Sequence, residues 1–144
     1  MENVKKLFLL TMLLTYATTV FAQNDTTGHA IDIQLKKCLD ETDNPTTLSM
    51  LACTEIAQIA WDVKLNQQYN QLMAELTADE RKILKSAQKT WLFYRDNELL
   101  FSSTLYNNME GTMWELVIAQ RKLEIVKRRA PKLKDYHEMH EQGK

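Results

Sequence analysis

The sequence predicts an all-α protein, an antiparallel helical bundle of three long helices behind a short leading one. On the simplest reading one disulfide ties it. Gly and Pro number only 3 and 2 in 144 residues, so little interrupts helices and few tight turns of an all-β fold are available. Apolar residues recur at steps of three and four over long stretches. Hydrophobic residues make up 44% and charged residues 26% of the chain, enough for one packed domain.

The first 22 residues read as a secretory signal peptide. Lys5 and Lys6 give the basic start, Leu7 to Leu14 the apolar stretch, and Val20-Phe21-Ala22 an acceptable cleavage site. The apolar run is shorter than the ~20 residues that a membrane span needs. No Cys follows it closely, which argues against a lipoprotein. Cleavage leaves about 122 residues carrying 16 basic and 18 acidic side chains. That balance lacks the basic surplus of a non-specific nucleic-acid binder. Nothing after Ala22 is apolar enough to span a bilayer, so a periplasmic or secreted product is expected.

Residues 23–29 form a polar arm. In the leading helix, Ile31, Leu35, Cys38 and Leu39 share a face. The run from Asp40 to Asn44 is a loop, and Pro45 opens the second helix, over about 46–76. Its stripe is Cys53, Ala57, Trp61, Leu65, Tyr69, Leu72 and Leu76. Thr77 and Glu80 form a capping box that ends this helix and starts the third, over about 78–105. The third stripe is Leu84, Ala87, Trp91, Tyr94, Glu98, Phe101 and Leu105. Asn107, Asn108 and Gly111 mark a turn. The fourth helix is expected over about 112–129, stopping before Pro131. Its apolar positions are Met113, Leu116, Val117, Ala119, Leu123 and Val126. Residues 30–130 are thus read as the domain and 131–144 as a charged tail, with no core contact after about Tyr136.

An oxidising compartment makes a Cys38–Cys53 disulfide the simplest expectation for the only two cysteines. Two free thiols or a metal site are the alternatives, though no His lies between the two cysteines. A hairpin centred near residue 78 places facing residues at numbers summing to about 156. Leu72 then faces Leu84, Leu65 faces Trp91, and Asp62 meets Arg95 in a charge-assisted pair. The spacing of Trp61, Tyr69, Trp91 and Tyr94 marks them as core.

Two strings carry a family resemblance. One is Trp61-Asp62-x-x-Leu65-Asn66-x-x-Tyr69-x-x-Leu72, preceded by Cys38, Thr47, Met50 and Cys53. The other is Ala87-Gln88-x-x-Trp91-x-x-Tyr94-Arg95-Asp96-x-Glu98. Together they resemble the lysozyme inhibitor LprI-like N-terminal domain, over about residues 33–126. Members often carry a further Cys where this chain has Leu99, and the signature of their last helix is reduced here to Ile118 and Arg121. The resemblance implies an exported helical domain and, for one branch, inhibition of lysozyme.

No residue pattern here suggests catalysis. The serines lack a nucleophile-elbow context, and no His lies in the predicted helical core. His137 and His140 are three apart, not the four of a zinc-protease helix. No phosphate loop or dinucleotide fingerprint is present, and no cofactor or metal is expected. Asp62, Asn66, Gln88, Arg95, Asp96 and Glu98 form a polar cluster that either fixes helix register or recognises a partner. An inhibitor needs a presented polar end instead of chemistry. Up-down topology puts the first loop and the third-to-fourth-helix loop at one end. There Asp40, Glu41, Asp43, Asn44, Asn107, Asn108 and Glu110 would attract a basic protein such as a lysozyme. The competing reading is an envelope structural or stress-related protein with another protein partner.

Overall fold

The computed structural model describes residues 29–41 and 45–144. The proposed signal peptide, nearly all of the arm, and Asp43 and Asn44 of the first loop lie outside the described residues. Four helices follow in order: α1 (Ala30–Asp40), α2 (Thr47–Glu75), α3 (Ala78–Tyr106) and α4 (Met113–Gln142). There is no strand among the described residues.

Local chemistry sets the helix starts. The Ile31 N–H donates to His29 Nδ1 at 3.2 Å, so the His29 ring caps α1. Thr46 and Ser49 cap α2 reciprocally. Thr77 and Glu80 do the same for α3, as the sequence predicts. The Thr77 N–H donates to Glu80 Oε2 at 2.8 Å. Leu76 and Thr77 are extended and form the whole connection between α2 and α3. Gly111, at φ 98°, supplies the left-handed residue of the turn before α4.

The core is built mainly between α2 and α4. From α2 come Cys53, Ala57, Trp61, Leu65 and Leu72, five of the seven positions predicted for its stripe; Tyr69 and Leu76 are half-buried. From α4 come Leu123, Val126, Ala130 and Leu133, spaced 3, 4 and 3. This seam of near-heptad spacing lets two helices lie along each other. They run in the same direction. The Thr47 and Thr112 hydroxyls lie 3.2 Å apart at their starts, and Lys144 Nζ lies 2.6 Å from Glu75 Oε2 at their ends.

α1 runs back along α2. The Cys38–Cys53 disulfide joins them, with Cα atoms 5.8 Å apart. The Trp61 indole N–H donates to Asp32 Oδ1 at 3.2 Å, and the His29 ring lies 4.3 Å from Trp61. Asp32 also pairs with Lys127 at 3.1 Å, so one carboxylate joins α1 to both α2 and α4.

Two expectations are corrected. The fourth helix does not stop before Pro131; it continues to Gln142 with the proline inside. Pro131 lies on the exposed face and, lacking an N–H, removes one intrahelical hydrogen bond to the Lys127 carbonyl. Ala130 and Leu133 flank it in the core, at 1% and 0% exposure. At about 1.5–3 kcal/mol per buried large apolar side chain, such burial offsets much of the ~3 kcal/mol that an interior proline costs.

The second correction concerns α3. Its inward face carries Leu84, Gln88, Trp91, Arg95 and Ser102, whereas Ala87, Tyr94, Phe101 and Leu105 are exposed. Leu84 and Trp91 belong to both the predicted and the observed stripe; Ala87, Tyr94, Phe101 and Leu105 belong only to the predicted one. Tyr94, read as core, is therefore a surface residue. Met113 of α4 is exposed as well.

Candidate functional site

The two motif strings of the sequence meet in a cleft between α2 and α3. Asp62, Asn66 and Tyr69 line it from α2; Lys85, Gln88, Trp91 and Arg95 line it from α3. Its volume is about 370 Å³. The cleft exists because the α2 and α3 backbones make few close approaches along their length. α2 instead keeps its close contact for α4.

Trp91 organises the α3 wall. The Arg95 guanidinium lies 5.6 Å from its ring and the Arg129 guanidinium 5.7 Å. Arg129 comes from α4 and donates through Nε and Nη2 to Gln88 Oε1, at 3.1 and 3.0 Å. Burial lowers the Arg129 pKa from its ordinary value, but the group starts so high that it stays charged at neutral pH. Gln88 and Arg129 thus form a polar bridge between α3 and α4, at a point where the sequence alone suggested a link between α2 and α3.

The expected Asp62–Arg95 pair does not form. Arg95 turns to its chain neighbour instead, with Nε 2.9 Å and Nη2 2.7 Å from Asp96 Oδ1. Asp62 accepts from Gln58 Nε2 at 3.3 Å, one helical turn away. Both residues line the cleft without touching, because a neighbour on the same helix satisfies each of them locally. Of the six motif residues, Asp62, Asn66, Gln88 and Arg95 share this cleft. Asp96 grips Arg95 from its edge. Glu98 lies elsewhere, in a groove of about 310 Å³ between α3 and α4 with Tyr94, Arg121 and Arg128.

Arg129 lies outside both motif strings, so sequence reasoning missed it as part of this arrangement. A signal was available. A hairpin centred near residue 109 pairs numbers summing to about 218, and Gln88 with Arg129 fits that register.

The loop end has the geometry the topology predicted. The Thr47–Thr112 contact brings the connection before α2 beside the turn before α4. Asp40 accepts from Lys36, and Glu41 pairs with Lys37 at 3.6 Å. The Asn108 amide donates to the Thr104 carbonyl at 2.9 Å, and the Trp114 indole N–H donates to the Glu110 carbonyl at 3.1 Å. Asn107 closes α3. Tyr106 stacks on Trp114 with ring centres 5.3 Å apart, and its hydroxyl accepts from Arg121 at 2.7 Å. These contacts give the turn a fixed shape.

The α2–α3 cleft holds one carboxylate, three cations, two amides and two polar aromatic rings, but no histidine or cysteine. Such a lining can hold polar or charged groups; it lacks the paired carboxylates of glycoside hydrolysis. His137 and His140 continue the α4 seam, half-buried. No cluster of three metal-ligating side chains occurs among the described residues.

Helices clamped by one disulfide, with a polar cleft on one side and a fixed α3–α4 turn at one end, make a rigid scaffold. The chain belongs to the family described as Lysozyme inhibitor LprI, whose model matches residues 38–133. No curated protein matches it. It is similar in fold to the crystal structure of an uncharacterised protein from Burkholderia thailandensis, with a TM-score of 0.72 and 26% identity. That match covers 78% of this chain and 55% of the other, so the chain spans about half of that protein's length. Among the described residues no helix is long and apolar enough to cross a membrane.

Proposed function

We propose that the protein is an exported inhibitor that binds a lysozyme-type cell-wall hydrolase and covers its cleft, with no chemistry of its own. The observation that carries this reading is membership of the lysozyme inhibitor family over residues 38–133. The fold supports it by offering a pre-ordered surface, which lowers the entropic cost of binding.

The proposed contact surface is the loop end. Asp40, Glu41, Asp43, Asn107, Asn108 and Glu110 form its polar set. Lys36 and Lys37 offset Asp40 and Glu41, so among the described residues of this set Glu110 carries the acidic character. A basic enzyme would be steered toward that end, and salt would weaken the attraction. The motif residues around Trp91 act in this reading as the brace that fixes α3 against its neighbours.

The test is a titration of the purified protein into lysozymes of several structural classes, followed by lysis of cell-wall suspensions. Stoichiometric inhibition of at least one class is expected. No inhibition of any class at a hundredfold molar excess refutes the proposal.

A further inference from the structure

α3 has a second face that the bundle does not use. Ile83, Tyr94, Phe101 and Leu105 are 69%, 55%, 63% and 44% exposed, and Ala87 lies exposed among them. At 100° per residue these five fall within one narrow sector of the helix. Between Ile83 and Leu105 that sector holds no charged residue. Of the five charged residues within that span, Glu98 borders the sector, and Lys85, Lys89, Arg95 and Asp96 lie on other sides. A solvated helix face is ordinarily polar, so a continuous uncharged stripe marks a contact surface.

The stripe has a property that selects its occupant: it is symmetric about Tyr94. The intervals from Ile83 to Ala87, Tyr94, Phe101 and Leu105 are 4, 7, 7 and 4 residues. A two-fold interface must be complementary to itself, each position meeting its mirror position on the other copy. We propose that α3 packs antiparallel against α3 of a second copy, with the two-fold axis at Tyr94.

In that register Ile83 meets Leu105, and small Ala87 receives bulky Phe101. Tyr94 meets its own counterpart. Charges agree with the register as well. Lys85 faces Ser103, Lys89 faces Leu99, and Glu98 faces Thr90. No charged residue of α3 lies opposite another charged one, so like charges are kept apart along the contact. The stripe runs about 33 Å at 1.5 Å per residue. Two such helix faces would cover on the order of 1,000 Å² in total, at the lower limit for a specific interface. A dimer that dissociates on dilution follows.

Sedimentation velocity of the purified protein over a range from 1 μM to 1 mM tests this. A monomer-to-dimer shift is expected within that range, and Phe101→Glu should weaken it at least a hundredfold. Because Phe101 is exposed, the variant should keep its circular dichroism and melting temperature. Cysteine pairing then tests the register, in protein purified with its native disulfide formed. Tyr94→Cys should crosslink to itself under mild oxidation. Ile83→Cys should not, since its two copies lie about 33 Å apart, but it should crosslink to Leu105→Cys in a mixture. A chain that is monomeric at 1 mM overturns the proposal. So does a dimer indifferent to Phe101→Glu, or self-linking of Ile83→Cys.

Discussion

Leu133 tests whether α4 is a continuous structural element past Pro131. Its side chain is 0% exposed, and it closes the seam formed by Leu123, Val126 and Ala130 against α2. Leu133→Ala removes three carbons from a closed site. Burial of that kind is worth about 2.7–5 kcal/mol when the surroundings cannot collapse. The site lies two residues beyond a proline, where some relaxation is available, so about 3 kcal/mol is expected. Small domains have only about 5–15 kcal/mol of total stability. For a domain of this size each kcal/mol moves the melting temperature by about 4 °C, which puts the shift near 12 °C. Urea unfolding followed by circular dichroism measures the change directly, with an unchanged slope showing that unfolding stays two-state. Leu48→Ala is the control. Leu48 is 77% exposed, and its loss should cost less than about 0.5 kcal/mol. A Leu133→Ala cost below about 1 kcal/mol would refute the reasoning and return residues after 131 to a tail that carries no packing.

Replacing both Cys38 and Cys53 by Ser should cost about 3 kcal/mol, the loop-closure entropy of a 15-residue separation, read from the same urea curves. Thr77→Ala should cost about 1 kcal/mol through the lost cap. It should also raise the Glu80 carboxyl toward its ordinary range, visible in an NMR pH titration, because hydrogen bonds from Thr77 now lower it. Lys144 lowers the Glu75 carboxyl through a hydrogen bond and its charge, while Glu141 and Glu75 raise the Lys144 ammonium. The carboxylate part of that stability is complete above the unfolded Glu pKa and is lost as pH falls through the lowered one. The ammonium part is complete below the unfolded Lys pKa and is lost as pH rises through the raised one. Lys144→Met should therefore weaken the stability loss at both extremes and return Glu75 to its ordinary titration. Glu110→Lys should slow association with a basic lysozyme about tenfold at low salt, measured by stopped flow, with the difference fading as salt rises.

Elements whose chemistry is local were legible in the sequence. The Thr77–Glu80 box places the α2–α3 junction because both of its bonds lie within one turn of chain. The α2 stripe is legible because most of its inward positions are apolar, with only Thr54 and Gln68 polar among the buried ones. α3 is different. Its inward face carries Gln88, Arg95 and Ser102, which a count of apolar periodicity discards, while its outward face carries the apolar residues such a count selects. Arg129 reaching from α4 to Gln88 decides between the faces, and that contact spans 41 residues. The Asp62–Arg95 pair failed for a related reason: register brought the two residues to one cleft, but nearer partners on their own helices satisfied them first. Pro131 misled because its helix-breaking character is a backbone property, whereas the burial of Ala130 and Leu133 that overrides it is tertiary.

The pairing of α2 with α4 sets when the chain can fold. Its end contacts join residues 65 and 69 positions apart. Helical bundles usually fold quickly through contacts between sequence neighbours, and long closures slow the search. Here the first long helix has only the short α1 packed beside it until the last helix is available. A growing chain that has produced α2 and α3 still lacks the surface that stabilises them. Cooperative structure must therefore wait until synthesis is almost complete. For a chain read as exported, that delay keeps it open enough to be threaded across a membrane, and the same pairing then closes it on the other side.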